Sequence, residues 1–97
     1  MPLFAVTSEY QVPPEQGKEV FQRHLGYMDR LQSERKVFVA GPFGDGKGAL
    51  IVLTASSLQE AQEVAANDPI HKEGIRKFQI REWKPVRFMS WGLSEEK

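Results

Sequence analysis

The 97-residue sequence predicts an α+β fold of order β-α-β-β-α-β. Two observations carry this. Val37–Leu53 holds two runs rich in β-branched and aromatic residues around a glycine-rich turn containing Asp45-Gly46, which is a hairpin signal. A helix pattern and a strand-like run precede that hairpin, and the same two element types follow it in reverse order. The hairpin is therefore the hinge of a pseudo-symmetric unit.

In chain order, Leu3–Glu9 alternates loosely and reads as a short strand. Pro13-Pro14 stops it. A proline at the first helical position loses no hydrogen bond, and Glu15 suits the positive helix end, so helix one is expected from about Pro14 to Glu34. Its apolar side is Val20, Phe21, Met28 and Leu31, with Leu25 and Tyr27 on the flanks. His24 stands in the middle of that stripe. Val37–Ala40 is a strand closed by Gly41-Pro42, since proline cannot donate to a sheet ladder. Ala49–Thr54 is almost continuously apolar and reads as a central strand covered on both faces. One short chain has only enough helix for one face, so a homodimer packing sheet on sheet is expected. Ser57-Leu58-Gln59-Glu60 is a capping box that opens helix two, with Leu58, Ala61, Val64 and Ala65 inward. Asn67-Asp68-Pro69 ends it, and Asp68 caps a short turn over Pro69–Gly74. Phe78–Val86 is the last strand, and Phe88, Met89, Trp91 and Leu93 make an apolar C-terminal extension over 88–97.

Composition bounds the function. The length suits one domain over 1–97. Thirteen basic and 13 acidic residues give a formal net charge of 0, so no strong field draws in nucleic acid. Basic residues do interleave with Phe78, Trp83 and Phe88, but no aromatic strand motif for nucleic acid accompanies them. Without cysteine there is no disulfide, thiolate nucleophile or thiolate metal site. No apolar stretch approaches the roughly 20 residues of a membrane helix, and the opening residues lack a signal peptide's basic segment, so a cytoplasmic location is expected. Gly41, Gly46 and Lys47 match the spacing of a phosphate-binding loop, but Gly48 follows instead of Ser or Thr, and a strand instead of a helix. No nucleotide cofactor is implied.

Two polar residues occupy inward positions: His24 on helix one, and Asp68 on the continued inward line of helix two. Both helices lie on one face of a β-α-β-β-α-β sheet, so the side chains can approach one another. A core histidine beside a capping aspartate is the plainer account, and on the residues alone it weighs more. The sharper account is a general base, an imidazole oriented by a carboxylate. His71 completes a His, His, Asp set, but three scattered ligands argue weakly for zinc or iron, and no metal is assigned. Arg23 and Arg76 could neutralise an anionic ligand, although each also reads as a surface charge. No serine has a base at readable spacing.

Arg23-His24-Leu25-x-Tyr27, Ala40-Gly41-Pro42, Leu58-x-x-Ala61, Asp68-Pro69 with Gly74, and Trp83-x-Pro85, in that order, resemble the YCII-related family. The resemblance covers Met1 to about Val86. It implies a ferredoxin-like fold that dimerises into an α+β barrel, with His24 and Asp68 as the active-site pair lining a cleft. Arg23, Tyr27, Gly41, Pro42 and His71 are then candidate substrate-binding residues. A dehydrochlorinase acting on a chlorinated hydroxyhydroquinone resembles members of this family, most of which have no assigned reaction. The implied function is a small enzyme using the His–Asp pair on a cyclic or phenolic molecule, of lyase or isomerase type. The alternative is a binding or structural dimer with the same cleft. This chain departs from the family at Arg35, where a turn glycine is common, and at His71, where a small or apolar residue is usual.

Overall fold

The computed structural model describes residues 1–88. Strand β1 (Leu3–Tyr10) is followed by a single 3-10 turn (Pro14–Gly17) and helix α1 (Lys18–Ser33). Strands β2 (Val37–Pro42) and β3 (Gly48–Thr54) form the hairpin. Helices α2 (Leu58–Ala66) and α3 (Pro69–Lys72) lead to strand β4 (Arg76–Trp83). The sheet is antiparallel throughout with order β2-β3-β1-β4, the ferredoxin-like arrangement.

The expected α+β barrel is not formed. The sheet stays open, with β2 and β4 as its two edges and no pairing between them among the described residues. Closing a filled barrel takes about eight strands. Here four strands and the helices over them make a two-layer sandwich. The apolar tail beyond residue 88 lies outside the described residues.

Register fixes which residues share a face, because directly opposed residues point the same way. Phe4 opposes Leu53 and Glu82, Val6 opposes Ile51 and Ile80, and Ser8 opposes Ala49 and Phe78. Val6, Ile51 and Leu53 pack with Leu31 of α1 and Ala65 of α2 in one core, and Phe4 packs with Ala55 and Ala61 in another. Strands β1 and β3 come close at Gly48, where an added Cβ would lie 2.0 Å from the Ser8 carbonyl oxygen. Only glycine fits there.

Local chemistry explains the boundaries. The first turn after Pro13 is 3-10, so α1 proper begins four residues later than the sequence suggests. Gly17 is buried against Ile75, where a Cβ would come within 2.6 Å of a methyl carbon. At the other end of α1, Arg35 donates its N–H to Gln32 O and Lys36 to Leu31 O, a Schellman closure with Arg35 at φ 62°. This is why a turn glycine suits the position. The hairpin tip is set by Gly46 at φ 75° and by the Asp45 carboxylate accepting the Lys47 N–H at 2.9 Å. Strand β2 runs on through Gly41 and Pro42, which an edge tolerates, with an irregularity between Val37 and Val39. Ser57 caps α2 by accepting the Glu60 N–H, but the Glu60 carboxylate reaches Ser56 N and Oγ (2.8 and 2.6 Å) instead of closing the box on Ser57. Leu58, expected inward, is 48% exposed in the first turn of that helix.

Candidate active site

The helix-facing side of the sheet changes character along the strands. Phe4, Val6, Ile51, Leu53 and Ile80 make one end apolar, whereas Ser8, Tyr10 and Arg76 make the other polar. Helix α1 brings His24 to the helix layer, and the step from α2 to α3 brings Asp68 and His71.

His24 and Asp68 form a buried acid–base pair. The His24 Nδ1–H lies 2.9 Å from Asp68 Oδ1 and 2.8 Å from Oδ2, with the residues only 6% and 2% exposed. A carboxylate can only accept, so the proton sits on Nδ1, and the neutral ring keeps its lone pair on Nε2. Nε2 makes no hydrogen bond among the described residues. Asp68 also caps α3, its Oδ1 accepting the Ile70 N–H at 3.0 Å. The capping and orienting readings of Asp68 therefore hold together: one carboxylate performs both tasks.

His71 is more enclosed than its place on a short helix suggests. Its Nδ1–H donates to Ala65 O at 2.8 Å, which leaves Nε2 to accept the Ser8 Oγ–H at 2.7 Å. The ring also stands 4.7 Å from that of Phe78. Sequence reading found no base for any serine, yet Ser8 has one, 63 residues away. Ser8 is fully buried and His71 is backed by a carbonyl in place of a carboxylate, so this couple lacks both the access and the orienting charge of a nucleophilic serine.

The other expected site residues are dispersed. Arg23 is at the surface, bonded to Glu19 at 2.9 Å and Glu73 at 2.7 Å; these hold both carboxyls below and the guanidinium above their ordinary ranges. Tyr27 donates its O–H to Val64 O at 2.7 Å, and burial, then the Asp68 carboxylate, push its phenol up. Tyr27, Asp68 and His71 border one void of about 10 Å³, space for about one water. Gly41 and Pro42 lie on the β2 edge in a separate groove with Val39, Phe43 and Leu50.

Phe21 joins the pair to open space. Its ring is 5.6 Å from that of His24, and with Tyr10, Lys18 and Glu19 it lines a cleft of about 770 Å³. Ser8 and Tyr10 are the polar residues that sequence reading left out of the site, and Arg76, weighed there as an anion partner or a surface charge, is buried. The signal for them was present: all three fall on the inward phase of a period-two strand pattern. Among the described residues no group of three or more His, Asp or Glu is arranged to hold a metal ion, and no helix is long and apolar enough to cross a membrane.

Burial pushes the His71 imidazole below its ordinary value of 6.5, outweighing the carbonyl of Ala65 and the charge of Asp68. The folded pKa is the lower one, so between it and about 6.5 the unfolded chain binds more protons. The stabilisation due to neutral His71 is whole above about pH 6.5 and is lost as pH falls toward the folded value. Urea unfolding across this range should show a slope that His71→Gln flattens; an unchanged slope in the variant would contradict the assignment.

The chain resembles an uncharacterized protein of Bacillus subtilis (strain 168), YjpA, at 41% identity over 61 residues, which is 63% of this chain and 72% of that protein. A solved structure, the 5-chloro-2-hydroxyhydroquinone dehydrochlorinase (TftG) of Burkholderia phenoliruptrix AC1100 in complex with 2,5-dihydroxybenzoquinone, superposes with a TM-score of 0.72 at 24% identity. The superposition covers 84% of this chain and 93% of the other, and shows a shared fold. The YCII-related domain matches residues 3–84, nearly the whole of the described structure, and the chain belongs to that family.

Proposed function

We propose that this chain is a small enzyme in which His24 acts as a general base on a hydroxylated ring, a phenolic or quinone-type molecule, with Asp68 as its positioning residue. The observation that carries the reading is the His24–Asp68 contact: the proton is fixed on Nδ1 and the lone pair on Nε2 faces away from the carboxylate. In the reaction Nε2 removes the proton of a ring hydroxyl. The resulting imidazolium is stabilised by Asp68, and the electron pair left on oxygen enters the ring, where it can expel a leaving group or shift a double bond. The shared fold of the hydroxyhydroquinone dehydrochlorinase supports a ring substrate of this kind. Phe21 and Tyr10 offer a ring flat partners in the adjoining cleft, and Phe21 must turn aside for the ring to reach His24.

The enclosure of the pair favours a second reading, binding without turnover in the same cleft. Assay of a panel of hydroxylated rings, including halogenated hydroquinones, separates the two. His24→Asn should lower turnover about a hundredfold or more, the usual worth of a positioned base. Asp68→Asn should do so as well while melting near the wild-type temperature. Its one oxygen keeps the Ile70 cap, which turns the amide N–H toward His24 Nδ1 and forces the ring proton onto Nε2. Turnover that survives both changes would refute the catalytic reading, and binding with no turnover by the wild type would leave the second.

For assembly, we propose a homodimer through the sheet face away from the helices. That face carries Leu3, Ala5 and Leu50 with the more exposed Val39 and Trp83 at its margins, and among the described residues no helix covers it. Sedimentation equilibrium at low micromolar concentration should return twice the chain mass, and Val39→Lys should return the single mass. A monomeric wild type would contradict this.

A further inference from the structure

Arg76 is the first inward residue of β4 and lies directly across from Tyr10. It is 5% exposed. Its Nη2 donates to the Tyr10 hydroxyl at 3.2 Å, and its guanidinium lies 4.5 Å from the centre of the Tyr10 ring and 5.9 Å from that of Phe21. Among the described residues the N–H groups on Nε and Nη1 are buried and meet no acceptor, and Arg76 forms no ion pair. A guanidinium does not escape burial by losing its proton, so an anion is what such a site lacks. Arg23 makes the contrast: half-exposed, it holds two carboxylates.

A cleft adjoins Arg76, and a small turn of the side chain would bring its buried N–H groups to an anion there. This cleft of about 400 Å³ is lined by Arg76 with Gln11, His71, Lys77 and Phe78, and among the described residues no acidic side chain lines it. Arg76 supplies the free donors, since Lys77, next to it on the strand, faces the other side of the sheet and the Gln11 amide already donates to Glu9 O and Tyr10 O. The tilted rings of His71 and Phe78 give the cleft an apolar wall. The volume is that of a small-molecule site. Aromatic rings against the guanidinium confine the approach to a flat group, which suits a carboxylate on a ring better than a tetrahedral phosphate.

We propose that Arg76 anchors an anion-binding subsite, bounded by His71, Lys77 and Phe78, that takes the carboxylate of a small aromatic acid. The subsite stands apart from the role of His24 and does not rest on it. Tyr10 links the two places, since it holds Arg76 and also lines the cleft at Phe21.

The test is an NMR titration of the full chain with benzoate, with phenol and inorganic phosphate as controls. Millimolar benzoate should shift the Arg76 Nε–H and the amides of Lys77 and Phe78 saturably, and neither control should. Arg76→Met should weaken benzoate binding at least about tenfold without lowering the melting temperature, because the residue it removes is a buried charge with no partner anion. If that variant does not fold, Arg76→Lys, which keeps a charge but loses the planar fork, should weaken binding about tenfold as well. No saturable shift with benzoate, equal shifts with phosphate or phenol, or wild-type affinity in the Arg76 variants would overturn the proposal. Turnover is not read in this experiment, so the subsite and the catalytic role of His24 stand or fall separately.

Discussion

The Asp68 carboxylate is the point on which the candidate site depends. One of its oxygens caps α3 through the Ile70 N–H, and both face the Nδ1–H of His24 on α1. The same group therefore starts a helix, ties it to another helix and selects a tautomer. A buried carboxylate is costly unless its lone pairs are met, and here backbone and imidazole meet them. The Asp-Pro step makes this possible. Pro69 at the first helical position leaves no orphan N–H of its own, so the carboxylate is free to serve the next residue and the histidine.

The sheet beneath supplies the setting. Its apolar end, with Val6, Ile51 and Leu53 against Leu31 and Ala65, holds the helices in place. Its polar end presents Ser8, Tyr10 and Arg76 below the helix layer that carries His24 and His71. Stability and chemistry are thus separated along the strands of one sheet. The separation lets polar groups be buried without interrupting the core. Ser8 is satisfied by His71, which is satisfied in turn by Ala65 O.

Much of this was legible in the sequence, and the parts that were not have physical reasons. The element order follows from the hairpin glycines and the two apolar helix stripes, and the interruption of those stripes marked His24 and Asp68 as a pair. Period-two phase, carried strictly through Leu3–Tyr10 and Arg76–Trp83, would also have marked Ser8 and Tyr10 and placed Arg76 inward instead of at the surface. A strand that alternates loosely at its apolar end conceals that phase. The contact between Ser8 and His71 joins residues 63 apart and depends on how β1 sits under α3, which no local pattern encodes. The closed barrel was implied by resemblance and not by any residue pattern, and the open sheet replaces it. Arg23, beside His24 in sequence, points elsewhere, because adjacent residues on a helix lie about 100° apart.

In the proposed reaction Asp68 fixes the proton of His24 on Nδ1 and leaves Nε2 as the base. The 15N chemical shifts of the His24 ring in the unliganded wild-type chain, recorded with the ring neutral, test it most directly. A protonated Nδ1 and a bare Nε2 are expected. A bare Nδ1 with the proton on Nε2 would mean that the carboxylate does not accept from the ring, and the pair could not act as the base described here.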